Sequence, residues 1–234
     1  MNEAKFTYGI VGKGRLAGHL LHYFRLKNMH VVQWYRGQTR TPEQALYTAN
    51  IILILINDDE IEKFIKANKW LKNKTVIHAS GSLVTKLAQG FHPHFNFTQQ
   101  LYKEETYEKI PFVTEKGGKS FREIFPNLSN PCFEIATKDR PLYHALTVMS
   151  GNFSTILWQA CNKAYMKKLK LPDTFFIPYI QNCVDQFAED PENALTGPLV
   201  RGDKKTIQKN IQSLKGSPLQ DIYKTFVKKY PKLK

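Results

Sequence analysis

The chain has 234 residues, enough to bury a sizeable core and to form one large domain or two smaller ones. Its three cysteines, an odd number without a CxxC spacing, argue against a disulfide framework and a zinc site and indicate a reducing compartment. The longest aliphatic run, IILILI at residues 51–56, is far too short to span a bilayer, and the N-terminal MNEAKF has no signal-type apolar stretch. These features predict a soluble, cytoplasmic protein with no membrane partner and no metal.

The formal net charge of +14 raises the question of a polyanionic partner. Lysines are dispersed along the chain and become dense only in the C-terminal KTFVKKYPKLK, where they alternate with apolar residues at helical spacing. That alternation favours a solvated helix face over a nucleic-acid-binding tract. No recognition motif or aromatic platform for nucleic acid is present in the sequence, so we expect no nucleic-acid partner.

Six apolar segments in the first part of the chain predict β-strands. The third, ANIILILI, is continuously apolar, which is typical of a parallel strand covered on both faces. Helical patterns separate most of the segments, as in βαβ units. The predicted strands occupy residues 5–11, 29–35, 49–56, 74–80, 110–116 and 132–137.

Start signals mark several helices between these strands. Thr41 and Pro42, with Gln44 three residues after the cap, predict a helix that begins with a capping box. Asp58 and Asp59 are expected to cap the next helix. The predicted helical segments in this part of the chain are 16–24, 60–71 and 120–125.

The pattern changes at Pro141, where PLYHALTVMSGNFSTILWQACNKAYMKK predicts one long apolar helix. The remaining segments are helical too, with one helix ending near Gly216 and the next beginning at Ser217-Pro218. Strands alternating with helices, followed by helices only, predict an α/β fold. We expect a mostly parallel sheet domain over residues 1–138 and a smaller all-α domain over residues 139–234.

The stretch YGIVGKGRLAGHL, residues 8–20, contains the dinucleotide fingerprint G-x-G-x-x-[GA]. Gly12 would turn the chain, Gly14 would let the backbone approach a pyrophosphate, and Ala17 would let the helix pack on the strand. A tight turn without a ligand is the alternative. Because the loop lies in the first βαβ unit, we favour a Rossmann-like dinucleotide-binding domain with contacts from Gly12, Gly14, Arg15, Leu16 and Ala17.

The end of the second predicted strand indicates which dinucleotide binds. An acidic residue there would accept a ribose 2′-hydroxyl, whereas an arginine would bind a 2′-phosphate. The sequence is QWYRGQTR, with Arg36 and Arg40 and no acidic residue. This favours NADP over NAD, with ordinary surface charge as the alternative explanation of the two arginines.

Several segments together resemble a known family: the glycine loop, ANIILILINDDEI, VIHASGSL, GFHPHF, YHALTVMSGNF and ALTGPLVRGD. They are similar to bacterial proteins that pair a Rossmann-like NADP-binding domain with a helical C-terminal domain of unknown function. These proteins are related to pyrroline-5-carboxylate reductase, ketopantoate reductase and the 6-phosphogluconate dehydrogenase superfamily. The resemblance spans nearly the whole chain. It implies a reductase-like fold, NADP as cofactor and a homodimer formed through the helical domains, without naming a substrate.

The resemblance also implies positions for the site. It places the turn after the third strand and the segment after the fourth strand beside the cofactor, at the carboxyl ends of the sheet. The cofactor contacts it adds are Ile56, Asn57, Asp58, Ser80 and Gly81, and Ser80 is also a catalytic candidate. His92 is a candidate substrate contact, with packing as the alternative, because its spacing from His94 could suit a metal but no carboxylate or cysteine partner lies nearby in the sequence.

Two residues of the predicted long helix, His144 and Asn152, are catalytic candidates. They lie two i+4 steps apart and so on one side of a regular helix, about 12 Å apart along its axis. In the hydroxyacid dehydrogenase relatives a catalytic lysine precedes the asparagine by four residues, but here that position is Val148. This departure leaves His144 as the candidate acid, with a hydrogen-bonded structural histidine as the alternative.

The segment ALTGPLVRGD has both a structural and a functional interpretation. Gly197-Pro198 would form a turn and Asp203 would cap the following helix. Alternatively Arg201, with Thr196 beside the turn, would bind the substrate, Arg201 holding a carboxylate with both guanidinium nitrogens. The sequence leaves both open.

The function favoured by these observations is an NADP-dependent oxidoreductase that transfers a hydride to or from a small carbonyl, imine or hydroxy compound. A catalytically inactive NADP-binding sensor or scaffold is the alternative, and Val148 is the residue that supports it. In both cases we expect a homodimer.

Overall fold

The computed structural model describes residues 6–233. Its β-strands are β1 Thr7–Val11, β2 His30–Trp34, β3 Ile51–Ile54, β4 Thr75–His78, β5 Gln89–Pro93, β6 Phe112–Glu115 and β7 Cys132–Ile135. They form one seven-stranded sheet in the order β2-β1-β3-β4-β5-β6-β7. Every neighbouring pair is parallel except β5 and β6, which are antiparallel.

Ten α-helices accompany the sheet in the described residues. In the first part of the chain they are α1 Arg15–Leu26, α2 Pro42–Ala45, α3 Asp58–Ala67, α4 Glu104–Glu108, α5 Phe121–Ile124 and α6 Arg140–Thr147. The remaining helices are α7 Ser154–Leu169, α8 Ile177–Glu189, α9 Lys204–Ser213 and α10 Pro218–Leu233. None of the described helices is both long and apolar enough to cross a membrane.

The continuous apolar run of β3 is explained by burial on both faces of the sheet. Ile51 and Leu53 pack into one core cluster, which is rich in aromatic side chains such as Phe125. Ile52 and Ile54 point to the opposite face and pack into a second cluster. The predicted strand covered on both faces is therefore confirmed.

The chain divides into two compact units, residues 1–152 and 153–234. The first contains the sheet and the second contains only helices. The predicted fold class, a Rossmann-like mostly parallel sheet followed by a smaller all-α part, is confirmed. The predicted domain boundary between residues 138 and 139 lies earlier in the chain than this division and stays a prediction.

Two elements, β5 and α4, were not predicted because neither has a clear pattern in the sequence. Strand β5 contains a glycine and ends in proline, residue types that are depleted in strands. Helix α4 has only five residues, too few to show a helical period. The predicted start of β1 at residue 5 lies outside the described residues.

Two predictions about helices were wrong in detail. Asp58 and Asp59 lie in the first turn of α3, and its N-cap is Asn57. The predicted regular helix from Pro141 is interrupted by a π-helical turn, Val148–Phe153, between α6 and α7. Because a π turn has more residues than an α turn, the predicted 12 Å separation of His144 and Asn152 on one helix face no longer follows. The capping box at Thr41 is confirmed, as is the N-cap at Asp203.

Candidate functional site

A cleft of about 930 Å³ opens at the carboxyl ends of β1 and β3. Strand β1 has β2 on one side and β3 on the other, so the strand order reverses here, which is where open α/β sheets bind ligands. Both strands lead directly into lining segments, because the glycine loop follows β1 and residues 55–58 follow β3. Most of the predicted cofactor contacts line this cleft: Gly12, Gly14, Arg15, Leu16, Ala17, Arg36, Ile56, Asn57, Asp58 and Ser80.

Gly12 makes the turn that brings the loop under the cleft. Its φ of +124° lies in a region that side chains rarely adopt, and a Cβ there would lie 2.2 Å from the Leu55 carbonyl oxygen. The Gly12 N–H donates to the Trp34 carbonyl at 2.8 Å, and its own carbonyl accepts from the Gln33 amide at 2.8 Å. The chain itself therefore requires glycine at this position.

Gly14 has no such requirement within the chain. It has an ordinary φ of −67°, and a Cβ built on it would meet no atom within 4 Å. It is the N-cap of α1, whose first turn has no side-chain cap and no acidic residue. The open space beside Gly14 and the uncapped helix N-terminus together fit a phosphate group, so the residues present suit a dinucleotide.

Two basic side chains line the cleft, Lys13 of the glycine loop and Arg36 after β2. The Lys13 ammonium lies 5.0 Å from the centre of the Tyr35 ring. A hydrogen bond from Lys63, and to a smaller extent the charge of Arg36, hold the pKa of Glu60 below its usual value. Arg40 does not line the cleft, and its carbonyl accepts from the Trp34 indole at 2.9 Å. The structure therefore separates the two predicted arginines.

Ser80, which follows β4, makes a hydrogen bond to Asp58, which follows β3. Its hydroxyl donates to the Asp58 carboxylate at 2.5 Å and accepts from the N–H groups of Ser82 and Leu83 at 3.3 and 3.0 Å. The hydroxyl proton is thus directed at Asp58. This arrangement gives Ser80 a structural task, and its catalytic role stays a prediction.

His144 packs directly on Gly81. A Cβ on Gly81 would lie 2.3 Å from the His144 Cδ2 atom, so only glycine leaves room for the imidazole in this position. His144 lies on α6 within the first unit, beside the segment that contains the cleft residue Ser80. This contact explains the glycine at position 81, whereas the predicted cofactor contact of Gly81, which does not line the cleft, and the catalytic role of His144 stay predictions.

A buried arginine, which the sequence analysis did not single out, anchors this region. Arg140 is fully buried, pairs with Glu115 at 3.1 Å and donates to the carbonyl of Ser80. Glu115 also accepts from the N–H of Gly90 at 2.9 Å, and the guanidinium lies against Gly90. One ion pair therefore ties α6, β6, β5 and the end of β4 together.

His78, the last residue of β4, lies next to this ion pair. Only 1% of His78 is exposed, and its Nδ1 accepts from the N–H of Ser80 at 3.2 Å. Burial, aided by the charge of Arg140, lowers the pKa of His78 to about 4. The ring is therefore neutral at neutral pH.

His92 and His94 meet at one tyrosine. The Nδ1 atoms of His92 and His94 lie 2.7 and 3.0 Å from the hydroxyl oxygen of Tyr143. His92 also packs edge-on against His144, with the ring centres 6.0 Å apart. No group of three histidine, cysteine, aspartate or glutamate side chains suited to a metal is found in the described part of the chain.

The other predicted residues lie elsewhere. Val148 and Asn152 lie in the π-helical turn, and Asn152 is exposed. Thr196 and Arg201 are exposed in the second unit, where the charge of Arg201 contributes to a lowered pKa of Asp203, after the hydrogen bonds from Thr206. Their roles at the site stay predictions.

The sequence profile of a domain of unknown function, DUF2520, matches residues 113–230, half of the chain. The chain belongs to the DUF2520 family. The family resemblance predicted from the sequence is thereby confirmed. Curated proteins give no significant match to this DUF2520 protein.

Several solved structures share the fold of this DUF2520 protein. A Bacteroides fragilis protein described as an NADP oxidoreductase is 20% identical, with a TM-score of 0.77 over 96% of this chain and 97% of that one. A Plasmodium falciparum pyrroline carboxylate reductase, solved with NADP bound, is 15% identical, with a TM-score of 0.60 and 95% of both chains covered. A Streptomyces aurantiacus imine reductase is 12% identical, with a TM-score of 0.68 over 97% of this chain and 93% of that one.

Arg140, Glu115 and Tyr143 were not predicted as site residues. The only local signal was the juxtaposition of Arg140 and Tyr143 with His144 at the start of a helix. An arginine in such a position is usually exposed, so nothing in the local sequence indicated its burial.

Proposed function

We propose that this DUF2520 protein is an NADP-dependent oxidoreductase that acts on a small carbonyl, imine or hydroxy compound. The observation that carries the proposal is the cleft at the ends of β1 and β3, with open space beside Gly14 at an uncapped helix N-terminus. The dinucleotide would supply the hydride chemistry, and the protein would supply orientation and electrostatics. The names of the similar structures, which include an NADP oxidoreductase and an imine reductase, support the same assignment.

Arg36 supports NADP over NAD. It lines the cleft just after β2, where the dinucleotide fold places the adenosine ribose, and a guanidinium there suits a 2′-phosphate. Gly12, Gly14 and the start of α1 would hold the pyrophosphate.

We expect NADPH to bind at least tenfold more tightly than NADH, because lost charge-assisted contacts to a phosphate cost about 1.5–3 kcal/mol. Titration calorimetry measures both affinities. Arg36→Ala should remove most of the preference, whereas the matched variant Arg40→Ala should keep it, since Arg40 does not line the cleft. Equal affinities of the parent protein for the two dinucleotides would contradict the assignment.

The substrate side of the proposal rests on residues of the first unit near Gly81. His144 would donate to the heteroatom on which charge develops, with Ser80 and Asn152 as further candidates. Arg201 and Thr196 lie in the second unit, and their binding of a substrate carboxylate stays a prediction. Turnover of a panel of keto acids and cyclic imines, followed by NADPH oxidation, tests the reaction class.

An inactive NADP-binding sensor is the second candidate, and one observation favours it. Val148, in the position where hydroxyacid dehydrogenase relatives have a catalytic lysine, has no donor, and it lies in a π turn and not in a regular helix. Tight NADPH binding without turnover of any panel member would favour the sensor.

We also propose a homodimer formed through the helical unit. Many large apolar side chains of this unit are exposed, among them Phe153, Trp158, Phe175 and Phe187, whereas Phe176 is buried within its own chain. Apolar surface of this extent is typical of an interface. A cytoplasmic location accords with the three free cysteines.

Light scattering at micromolar concentration should therefore show a dimer. Phe187→Lys places a charge on the exposed apolar surface of α8 and should shift the protein towards monomer. Tyr47→Lys, at an equally exposed aromatic of the first unit, is the control and should leave the dimer intact. A monomeric parent protein would refute the interface.

A further inference from the structure

Three side chains that the proposed function leaves unexplained form a hydrogen-bond chain beside His144. The Tyr143 hydroxyl lies 2.7 Å from His92 Nδ1 and 3.0 Å from His94 Nδ1. A phenol has one proton, so it can donate to only one of these nitrogens and must accept from the other. The chain therefore has a direction.

Thr147 favours one direction. Its hydroxyl lies 3.0 Å from the Tyr143 carbonyl, a better-placed acceptor than His94 Nδ1 at 3.4 Å, so donation to the carbonyl leaves the hydroxyl oxygen facing His94 as an acceptor. In this arrangement His94 Nδ1 carries the proton and donates to the Tyr143 hydroxyl oxygen. Tyr143 accordingly donates to His92 Nδ1, which fits the shorter of its two distances, since O–H donors make the shorter bonds.

With its Nδ1 accepting, His92 carries its proton on Nε2. That nitrogen has no partner among the described residues, and it is not among the buried nitrogens without a partner, in contrast to His78 Nε2. Burial, together with the nearby charges of His144, Arg140, His94 and His78, lowers the pKa of His92 to about 3. His92 thus presents a fixed N–H donor from an uncharged ring.

The position of His92 in the sheet places its N–H donor beside the candidate site. His92 lies near the carboxyl end of β5, two residues after Gly90, which pairs with the last residue of β4. Its ring packs edge-on against His144, the candidate donor beside the cleft residues Ala79 and Ser80. An N–H donor at this position can stabilise charge that develops on a substrate atom.

We propose that His94 and Tyr143 are positioning residues that hold His92 as its Nε2–H tautomer, and that this N–H donates to the substrate heteroatom beside His144. The proposal rests on the proposed reductase function. It provides a second donor in a site whose lysine position is occupied by Val148.

The tautomers can be measured without any activity. Long-range ¹H–¹⁵N spectra of the histidine-labelled protein at neutral pH should show His92 as Nε2–H and His94 as Nδ1–H. Tyr143→Phe removes the donor to His92 Nδ1, so His92 should lose its uniform Nε2–H form and populate Nδ1–H as well. His94→Ala, at an exposed position, removes the group that orients the Tyr143 hydroxyl and should change the His92 tautomer in the same sense, should the tyrosine variant fail to fold. A parent protein in which His92 carries the proton on Nδ1 overturns the proposal.

Steady-state kinetics then test whether the His92 Nε2–H contributes to turnover. A glutamine amide can replace an Nε2–H and an asparagine amide an Nδ1–H, so His92→Gln should keep at least tenfold more of kcat than His92→Asn, at unchanged NADPH affinity. Tyr143→Phe should lower kcat about tenfold in the parent protein. In the His92→Gln background it should have no further effect, because a glutamine amide has no tautomers for Tyr143 to select. Equal losses in the glutamine and asparagine variants, or an additive effect of Tyr143→Phe, would overturn the role. If the parent protein turns over no panel member, the proposed function fails. The measured tautomers of His92 and His94 then still test the direction of the hydrogen bonds at Tyr143.

Discussion

Replacing Arg140 with alanine should lower the free energy of unfolding by about 3–5 kcal/mol, the cost of breaking a buried ion pair by removing one partner. Arg140 is fully buried, and the Glu115 side chain is only 12% exposed. Removing the guanidinium leaves this carboxylate without its counter-charge and the Ser80 carbonyl without its donor. Urea unfolding followed by circular dichroism measures the change.

A surface ion pair provides the control for Arg140. Lys66 pairs with Glu62 at 2.8 Å on α3, but its side chain is 64% exposed. Water screens such a pair, so Lys66→Ala should hardly change the midpoint of unfolding. If Arg140→Ala were no more harmful than Lys66→Ala, the ion pair with Glu115 would not anchor the sheet to α6.

Replacing His144 with glutamine should lower turnover by about 10² or more, the usual contribution of a positioned acid or base, if His144 protonates the substrate. Glutamine keeps a hydrogen-bond donor but cannot transfer a proton in the same way. The affinity for NADPH should stay within a few-fold, because His144 does not line the cleft around the glycine loop. Steady-state kinetics and calorimetry on the same preparation measure both quantities.

Gly81→Ala should displace the His144 imidazole without changing His144 itself. The new methyl group would lie 2.3 Å from His144 Cδ2, so the ring must move, and turnover should fall as in His144→Gln. Lys138→Gln, at an exposed position shortly before α6, is the control and should behave like the parent. A glutamine variant with the rate and the pH profile of the parent would show that His144 is structural.

The glycine loop could be predicted because its signal is local. Gly12 has a positive φ that the chain itself requires, and Gly14 leaves the open space that a phosphate needs, so both positions depend on the backbone of a few neighbouring residues. The strand and helix pattern of the first unit is local in the same sense, since side-chain periodicity reports which face of an element is buried. The capping box at Thr41 and the N-cap at Asp203 could be predicted too, because each depends on residues a few positions apart.

The separation of Arg36 from Arg40 could not be predicted in this way. Both follow β2 within a few residues, and only the turn after β2 directs Arg36 into the cleft while Arg40 contributes its carbonyl to the Trp34 indole. The π turn at Val148–Phe153 could not be predicted either, because the serine, glycine and asparagine of VMSGNF weaken an α-helix without indicating which kind of turn replaces it. A single extra residue in one turn changes which side chains share a helix face.

The sequence by itself determined the α/β order of elements, the glycine loop and the family, because each depends on the types and spacing of adjacent residues. Only the tertiary structure decided which side chains meet at the site. His92 reaches Tyr143 across 51 positions of the chain, and Arg140 of α6 meets Glu115 of β6 and Ser80 in the segment after β4. These contacts depend on the register of β4, β5 and β6 and on the packing of α6 against their ends. No local pattern encodes that register, because it is fixed by burial of the whole sheet.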